Sequence, residues 1–494
     1  MTRRIDNRRL DDEEFAAIRK EVLASWTAKP PVDLKEGLAY QAKLAPHRRL
    51  TTLYADADAN GYTLLNPYGG LAPFDAYLEL LHGLEKDGTV DFLPMSIDSH
   101  TRTNEYEAAE RAVRESEERG RSMLNGFPII HYGVEGCRKV VESVNLPVIA
   151  RLSAIDARLV AETAFAGGCT ALTGSPMASF TCYSRDTPFE VVVRNWQYVE
   201  RLVGIYNEHG LPLMRDQPEF NIGVAHPPSL SIVMAILNAL IAAAQGAPHI
   251  APAHQQQGSI LQNVASALVE RRLVREYLDR FGFGSCRNSS ILVTWVGQFP
   301  VDPYRALAIL CQGATVASLA GVTNLVCKSY DEGVGLARPQ ANRESMQAVR
   351  QTLDMLRFQR YPINDPAVRE EMDLIEAEVR AVMEKLLELG DGDTVVGAGR
   401  AFELGVLDVP YPPTKLIKGR ITTAYDRTGA ARFVDFGDLP FPPDVRRCHE
   451  AKLRERAAAD DRAIDTTLVM DDILGGIVPA LRQPTRPKVR VSSR

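Results

Sequence analysis

The stretch LPVIARLSAIDARLVAETAFAGGCTALTG, residues 146–174, contains two short apolar runs separated by one longer segment. The runs LPVIA and CTALT have the length and composition of buried β-strands. The segment between them, residues 155–166, has the length of a helix and ends at Gly167–Gly168, which is a helix stop signal. A strand, a covering helix and a second strand form a βαβ unit, in which the two strands run parallel. This stretch therefore predicts a parallel α/β fold.

The same alternation extends in both directions along the chain, at intervals of roughly 20–40 residues. Eight or more such units favour a closed TIM (β/α)8 barrel over an open sheet. Because nine apolar runs are candidate strands, we expect one of them to lie outside the ring, and periodicity does not say which. The nine runs are residues 62–66, 91–97, 123–129, 146–150, 169–173, 211–215, 249–253, 291–295 and 324–328.

The pattern divides the chain into three parts. We predict an N-terminal arm over residues 1–55, the barrel over 56–340 and a C-terminal α+β extension over 341–494. The extension combines long helical segments with a strand-like run, ARFVDF, at 431–436. Its last residues, RQPTRPKVRVSSR (482–494), are basic and rich in breakers, which predicts a disordered tail.

Composition narrows the class of protein. The chain is 45% hydrophobic and 24% charged, as is ordinary for a globular protein with a large core, and its net charge of −6 argues against nucleic-acid binding. The charged start has no apolar signal segment, and the most apolar stretch, 231–244, is too short to span a membrane. Seven scattered cysteines without a CxxC pair indicate a reducing compartment. We expect a cytoplasmic protein with no membrane partner.

Polar residues follow several of the predicted strands, at the end of a barrel where active sites lie. Arg102 and Arg151 can each hold a carboxylate in two parallel charge-assisted hydrogen bonds, which predicts a small acidic substrate. The alternative is that each arginine caps a helix or pairs with a nearby acid. Lys328 and Glu332 stand four apart and form either a solvated ion pair or a pair facing a ligand. The full set is Tyr68, Asp98, Arg102, Asn125, Arg151, Thr173, Arg215, Asp216, His254, Gln255 and Lys328.

Five blocks of sequence resemble the catalytic (epsilon) subunits of glutamate mutase, also called methylaspartate mutase. They are DFLPMSIDSHTRTNEYEAAERAVRESEERGRSMLNGFPIIHYGVEGCRKVVESVNLPVIAR (91–151), NWQYVERLVGIY (195–206), QGSILQNVASAL (257–268), VASLAGVTNLVCKSYDEGVG (316–335) and FELGVLDVPYPPTK (402–415). The likeness runs from about residue 10 to residue 475. It implies a TIM barrel with terminal extensions that interconverts L-glutamate and L-threo-3-methylaspartate by a radical mechanism.

The resemblance also implies adenosylcobalamin as the cofactor, carried by a separate small subunit that has a DxHxxG motif. Two large and two small subunits would form a heterotetramer, with a homodimer of the large subunit inside it. In this chain Asp98–Ser99–His100 begins like that motif, but Thr103 stands in place of the glycine. We therefore expect no cobalt ligand and no other metal site here, and we expect Asp98 to position Arg102.

The likeness carries functional positions onto this sequence. Arg102 and Arg151 match two of three arginines that hold the carboxylates of glutamate, and Tyr183 and Leu152 match further substrate-contacting positions. The positions that match the cofactor-contacting wall are Gly70, Asn125, Cys182, Phe299, Lys328, Glu332 and Leu336, with Cys182 standing where the family has proline and with Lys328 and Glu332 holding the adenosyl ribose.

Three substrate positions depart from the family pattern. Tyr68 replaces the third arginine, Thr173 replaces the carboxylate that meets the substrate ammonium, and Ser179 replaces a tyrosine. Losing one partner of a buried charge costs about 3–5 kcal/mol. The first hypothesis is a glutamate mutase with re-formed contacts, and the second is a B12-dependent mutase for a less charged acid. A silent barrel that only binds the partner subunit and a cofactor-free barrel lyase are the alternatives of another class.

Overall fold

The computed structural model describes residues 5–218, 224–357 and 364–474. The predicted disordered tail, 482–494, lies outside these residues. The strands are β1 Leu64–Pro67, β2 Leu93–Ser96, β3 Val148–Arg151, β4 Ala171–Thr173, β5 Met214–Pro218, β6 His249–Gln255, β7 Arg287–Asn288, β8 Ile291–Val293, β9 Asn324–Cys327, β10 Thr422–Tyr425 and β11 Ala431–Asp435.

Eight strands form a nearly closed parallel barrel in the order β1-β9-β8-β6-β5-β4-β3-β2. At the remaining seam, Asp91 N donates to Leu65 O and Ser96 N donates to Gly69 O, both at 2.9 Å. The two-residue strand β7 pairs beside β6, off the ring. The predicted TIM barrel is therefore confirmed.

Eight of the nine candidate runs contain barrel strands, and the run outside the ring is 123–129. Its Phe127 makes only an isolated bridge with Ile97 at the end of β2. This run contains Gly126, where a Cβ would lie 2.5 Å from the backbone nitrogen of Asp98. The segment therefore lies across the end of β2 and forms part of the rim of the barrel.

Helices cover the barrel and make up most of the chain before its first strand and after its last. They are α1 Asp12–Ala24, α2 Leu34–Ala42, α3 Leu50–Asn60, α4 Phe74–Lys86, α5 Ser99–Arg102, α6 Tyr106–Arg119, α7 Ile129–Glu142, α8 Arg158–Ala166, α9 Pro176–Tyr183, α10 Phe189–Glu208, α11 Pro228–Ala244, α12 Ile260–Arg280, α13 Pro303–Ala320, α14 Pro339–Leu356, α15 Pro366–Leu389, α16 Thr394–Leu404, α17 Pro443–Asp460 and α18 Thr466–Leu474. Of the described helices, none is long and apolar enough to cross a membrane.

The extension is held to the barrel by buried charges as well as by apolar packing. Arg432 of β11 donates to both carboxylate oxygens of Glu371 on α15, at 2.9 and 2.7 Å, and to Asp426 at 2.8 Å. Gln262 of the barrel helix α12 donates to the same Glu371 at 2.7 Å. The hairpin β10–β11, helix α15 and the barrel wall therefore share one buried polar network.

The interior of the barrel is layered. An apolar layer near the amino ends of the strands includes Phe92, Ile149 and Met214, with Tyr54 of α3 beneath it. Since side chains alternate between the two faces of a strand, the residues two positions later on β3 and β5 also point inward. Those residues are polar, and they form the floor of the candidate site.

Candidate functional site

Three inward side chains on adjacent strands form one row. Arg151 is in register with Thr173 on β4, and Thr173 is in register with Asp216 on β5. Neighbouring strands lie about 4.8 Å apart, so these side chains are within contact distance of each other. The barrel therefore brings a guanidinium, a hydroxyl and a carboxylate together near the carboxyl ends of the strands.

Contacts in the row are tight. Arg151 Nη1 donates to Asp216 Oδ2 at 3.0 Å and to Thr173 Oγ1 at 3.3 Å, while its Nη2 donates across the barrel to Asn66 Oδ1. Thr173 Oγ1 donates to Asp216 Oδ2 at 2.9 Å. Burial raises the pKa of Asp216 above its ordinary value, and Arg151 and Thr173 act in the opposite direction. Arg151 cannot lose its charge, so it favours the ionised carboxylate.

A cavity of ≈ 440 Å³ opens above this row. It contains eleven of the fourteen side chains or backbones that the sequence singled out for the site, so the structure brings most of them together. The eleven are Tyr68, Gly70, Arg102, Asn125, Arg151, Leu152, Thr173, Tyr183, Lys328, Glu332 and Leu336.

Three predicted residues do not line the cavity. Ser179 on α9 is buried and accepts a hydrogen bond from the indole Nε1 of Trp196 at 3.0 Å, so in this structure it serves the packing of α10. Cys182 precedes Tyr183 on the same helix and is half-buried. The ring of Phe299 lies behind the cavity wall, with its centroid 5.8 Å from the ammonium of Lys328.

Arg102 occupies the end of the short helix α5. The carboxylate Oδ1 of Asp98 caps that helix by accepting a hydrogen bond from Thr101 N at 3.0 Å. Asp98 was expected to position Arg102, and the structure places it at the start of the helix whose last residue is Arg102. Among the described residues, Arg102 has no hydrogen-bond or ion-pair partner. It is a cation available to a ligand.

Lys328 and Glu332 form an ion pair on the opposite wall. Lys328 Nζ lies 2.6 Å from Glu332 Oε1, and both residues line the cavity. The Lys328 side chain is 15% exposed and that of Glu332 39%, so the pair lies at the edge of the cavity, and its role toward a ligand stays a prediction. His100, in the rejected DxHxxG-like segment, instead contacts Glu105 at 2.9 Å on the exterior of α5.

Some predicted strand-end residues point away from the site. Arg215 lies between Met214 and Asp216, so it faces outward, where it donates to Glu200 at 2.8 Å and stacks over Trp196. His254 also faces outward, with Nδ1 3.8 Å from Glu270 Oε2. These residues stabilise the contact between strands and helices.

Asn66 was not predicted from the sequence as a site residue, and Asp216 was predicted only as a strand-end residue. Asn66 is fully buried inside β1 and accepts the hydrogen bond from Arg151 Nη2. A polar residue inside the apolar run 62–66 was the available signal, because such a residue must find a buried partner. Its partner lies 85 residues away in the sequence.

A barrel whose charged residues converge at the carboxyl ends of its strands defines a TIM-barrel enzyme. The model of the methylaspartate mutase E chain family matches residues 44–476. The chain therefore belongs to the methylaspartate mutase E chain family, and it is an isomerase of that family.

Named relatives agree with this assignment. The glutamate mutase epsilon subunit of Treponema denticola is 36% identical over 467 residues, which cover 94% of this chain and 96% of the relative. That of Desulfitobacterium hafniense (strain Y51) is 38% identical over 469 residues, covering 95% and 97%. Among solved structures, the carboxyl transferase domain of Rhizobium etli pyruvate carboxylase is 11% identical with a TM-score of 0.37, covering 74% of this chain and 64% of that chain.

Proposed function

We propose that this chain is the catalytic subunit of an adenosylcobalamin-dependent carbon-skeleton mutase that interconverts L-glutamate and L-threo-3-methylaspartate. The observation that carries the proposal is the single cavity in which Arg102, Arg151 and the Lys328–Glu332 pair converge. Arginine forks bind carboxylates in two parallel charge-assisted hydrogen bonds, and both arginines line this cavity. The names of the relatives, which are glutamate mutase epsilon subunits, support the same reaction.

The cavity wall offers polar, charged and apolar groups to a bound cofactor. Added Cβ atoms at Gly70 and Gly126 would lie 2.3 and 2.7 Å from the Ser96 carbonyl oxygen, so the rim needs glycine for its backbones to pack this closely. Leu336 stands half exposed beside them and offers an apolar contact. Bound adenosylcobalamin would supply a carbon radical by homolysis of its cobalt–carbon bond. Lys328 and Glu332 would hold the adenosyl ribose, with Asn125 and Leu336 beside it.

The residues of this chain would bind the acid and exclude water. Arg102 would hold one carboxylate, and Arg151 would present its guanidinium from the floor of the cavity. Leu152, Val293 and Val296 supply apolar wall around them. Such a wall keeps water from a reactive intermediate and strengthens each charge–charge contact inside the cavity.

The alternative candidate substrate is a less charged acid, and one observation favours it. Tyr68 and Thr173 line the cavity with uncharged side chains. Burial raises the pKa of Tyr68 to about 12, so its phenol is neutral at pH 7, and its ring lies 5.5 Å from the guanidinium of Arg151. A silent scaffold would have no use for an Arg102 that lines the cavity and lacks a partner among the described residues, which argues against that alternative.

We propose that a small cobalamin-carrying subunit with a DxHxxG motif completes the enzyme, in a cytoplasmic heterotetramer of two large and two small subunits. The epsilon-subunit names of the relatives support the existence of a partner. The test is reconstitution of this chain with that subunit and adenosylcobalamin, followed by NMR of L-glutamate. We expect 3-methylaspartate to accumulate; full activity of a relative's large subunit in the same mixture, with none from this chain, would contradict the proposal.

Replacing Gly70 with alanine should impair this enzyme strongly. The new Cβ would meet the Ser96 carbonyl at 2.3 Å and Phe127 N at 2.8 Å, so the rim after β1 must shift. Displacing positioning groups by about 1 Å can lower kcat/KM by about 100-fold. Gly284→Ala is the matched control, because its nearest neighbour is the flexible end of Asp279 at 3.3 Å. Equal kcat/KM for both variants would show that the rim plays no part in the reaction.

A further inference from the structure

The two oxygens of the Asp216 carboxylate are used unequally. Oδ2 accepts hydrogen bonds from Arg151 Nη1 at 3.0 Å and from Thr173 Oγ1 at 2.9 Å. Oδ1 accepts no hydrogen bond from the described residues. It is also not one of the fully buried polar atoms that lack a partner, so part of its surface is accessible. Asp216 also lines the cavity. One carboxylate oxygen is therefore held in place while the other remains available to a ligand.

Most of the other charged groups of the cavity are paired with each other. Lys328 is paired with Glu332 at 2.6 Å, and Arg151 is paired with Asp216 through Oδ2. Within the described part of the chain, this leaves Arg102 as the cation without a partner and Asp216 Oδ1 as the anionic acceptor without a donor. A complementary ligand carries a carboxylate for the first and a charged donor for the second.

We propose that Asp216 is a specificity-determining residue that receives the protonated amine of the substrate. The substrate class is then an acid with a free amino group, and an acid whose amine is absent or masked is excluded. This inference rests on the proposed function, since it concerns the same cavity. The carboxylate that meets the amine would then come from Asp216 on β5. The in-register residue on the neighbouring strand β4 is the uncharged Thr173.

Thr173 has a defined part in this arrangement. Its hydroxyl donates to Oδ2 of Asp216 and so orients that carboxylate. Thr173 itself is uncharged and offers no anionic acceptor to the substrate amine. Arg151 restrains the same oxygen from the other side. A carboxylate fixed by two donors is preorganised, and the substrate amine does not have to reorganise it on binding.

A purely structural role for Asp216 makes a different prediction. If the carboxylate only neutralised Arg151, its removal would affect ligands with and without an amine alike. The two roles are therefore separated by pairs of ligands that differ only in the amine. Suitable pairs are L-glutamate with glutarate and L-2-aminobutyrate with butyrate.

The experiment measures equilibrium binding of each pair by calorimetry to the complex of this chain, its small subunit and adenosylcobalamin. In the parent protein, we expect the amino acid of at least one pair to bind more tightly than its amine-free partner. Asp216→Asn should reduce that preference by about 10- to 100-fold, as expected for loss of a charged hydrogen-bond acceptor, while amine-free acids bind nearly unchanged. Adding Thr173→Asp to Asp216→Asn should restore part of the preference.

Two outcomes overturn the inference: no pair shows a preference for the amine, or the preference survives in Asp216→Asn. If that variant does not fold, Asp216→Ser is measured in its place with the same criteria. Turnover is recorded separately in the same samples. Amine-dependent binding without any rearranged product would contradict the proposed function and leave the assignment of Asp216 intact.

Discussion

Replacing Arg151 with methionine is expected to abolish turnover and to lower the free energy of unfolding by about 3–5 kcal/mol, the usual cost of removing one partner from a buried ion pair. Arg151 is 4% exposed and donates to Asp216, Thr173 and Asn66, so its loss removes the cation beside a buried carboxylate and leaves the amide oxygen of Asn66 without its donor. The measurement is urea unfolding of the purified chain, together with product formation by the reconstituted complex.

Arg119→Met is the matched control for that variant. Arg119 forms an exposed i,i+4 pair with Glu115, 2.7 Å apart, and such pairs contribute about 0.3–0.5 kcal/mol. Combining Arg151→Met with Asp216→Asn should recover much of the lost stability, because no uncompensated charge remains, but no activity. An active Arg151→Met enzyme would show that this arginine only balances the charge of Asp216.

Replacing Arg432 with methionine should destabilise the extension by a similar amount, about 3–5 kcal/mol. Arg432 is 3% exposed and satisfies two carboxylates, those of Glu371 and Asp426. Both would remain buried without their cation, and Gln262 of α12 would be left as the other side-chain donor to Glu371. Because none of these residues lines the cavity, we expect loss of stability without a change in substrate preference.

The control for Arg432 is Arg420→Met, which removes a solvent-exposed pair with Asp438. Thermal melting of the two variants should differ clearly, with Arg432→Met unfolding at the lower temperature. Equal melting temperatures would mean that the buried network does not hold the extension to the barrel.

The barrel could be predicted because its signal is local and repeated. Eight apolar runs recur with helices between them, and each run contains a strand of the ring. The ninth run, 123–129, has the same composition but packs across the end of β2, and only tertiary contacts distinguish it. Likewise, no local pattern shows that α5 and α6 are separate helices, which the φ of 61° at Asn104 makes them.

The sequence predicted which residues belong to the site better than it predicted which of them form hydrogen bonds with each other. Arg215 and Asp216 are adjacent strand-end residues, yet one faces a helix and the other faces the cavity, and the sequence does not show which. Pairing of Arg151 with Asn66 and Asp216 joins residues 85 and 65 positions apart, which no local pattern encodes. Ser179 was predicted as a site residue but does not line the cavity. It accepts a hydrogen bond from Trp196, which also lies outside the cavity lining.

If this chain is an adenosylcobalamin-dependent mutase of an amino acid, as we propose, the cofactor should undergo homolysis only when that amino acid is bound. Stopped-flow absorbance on mixing the chain, the small subunit and adenosylcobalamin with L-glutamate tests it most directly. We predict rapid appearance of the cob(II)alamin spectrum with the amino acid, and none when the acid, the partner or this chain is omitted. An unchanged cofactor spectrum with every free amino acid tested, in a mixture where a relative's epsilon subunit produces cob(II)alamin, would contradict the account.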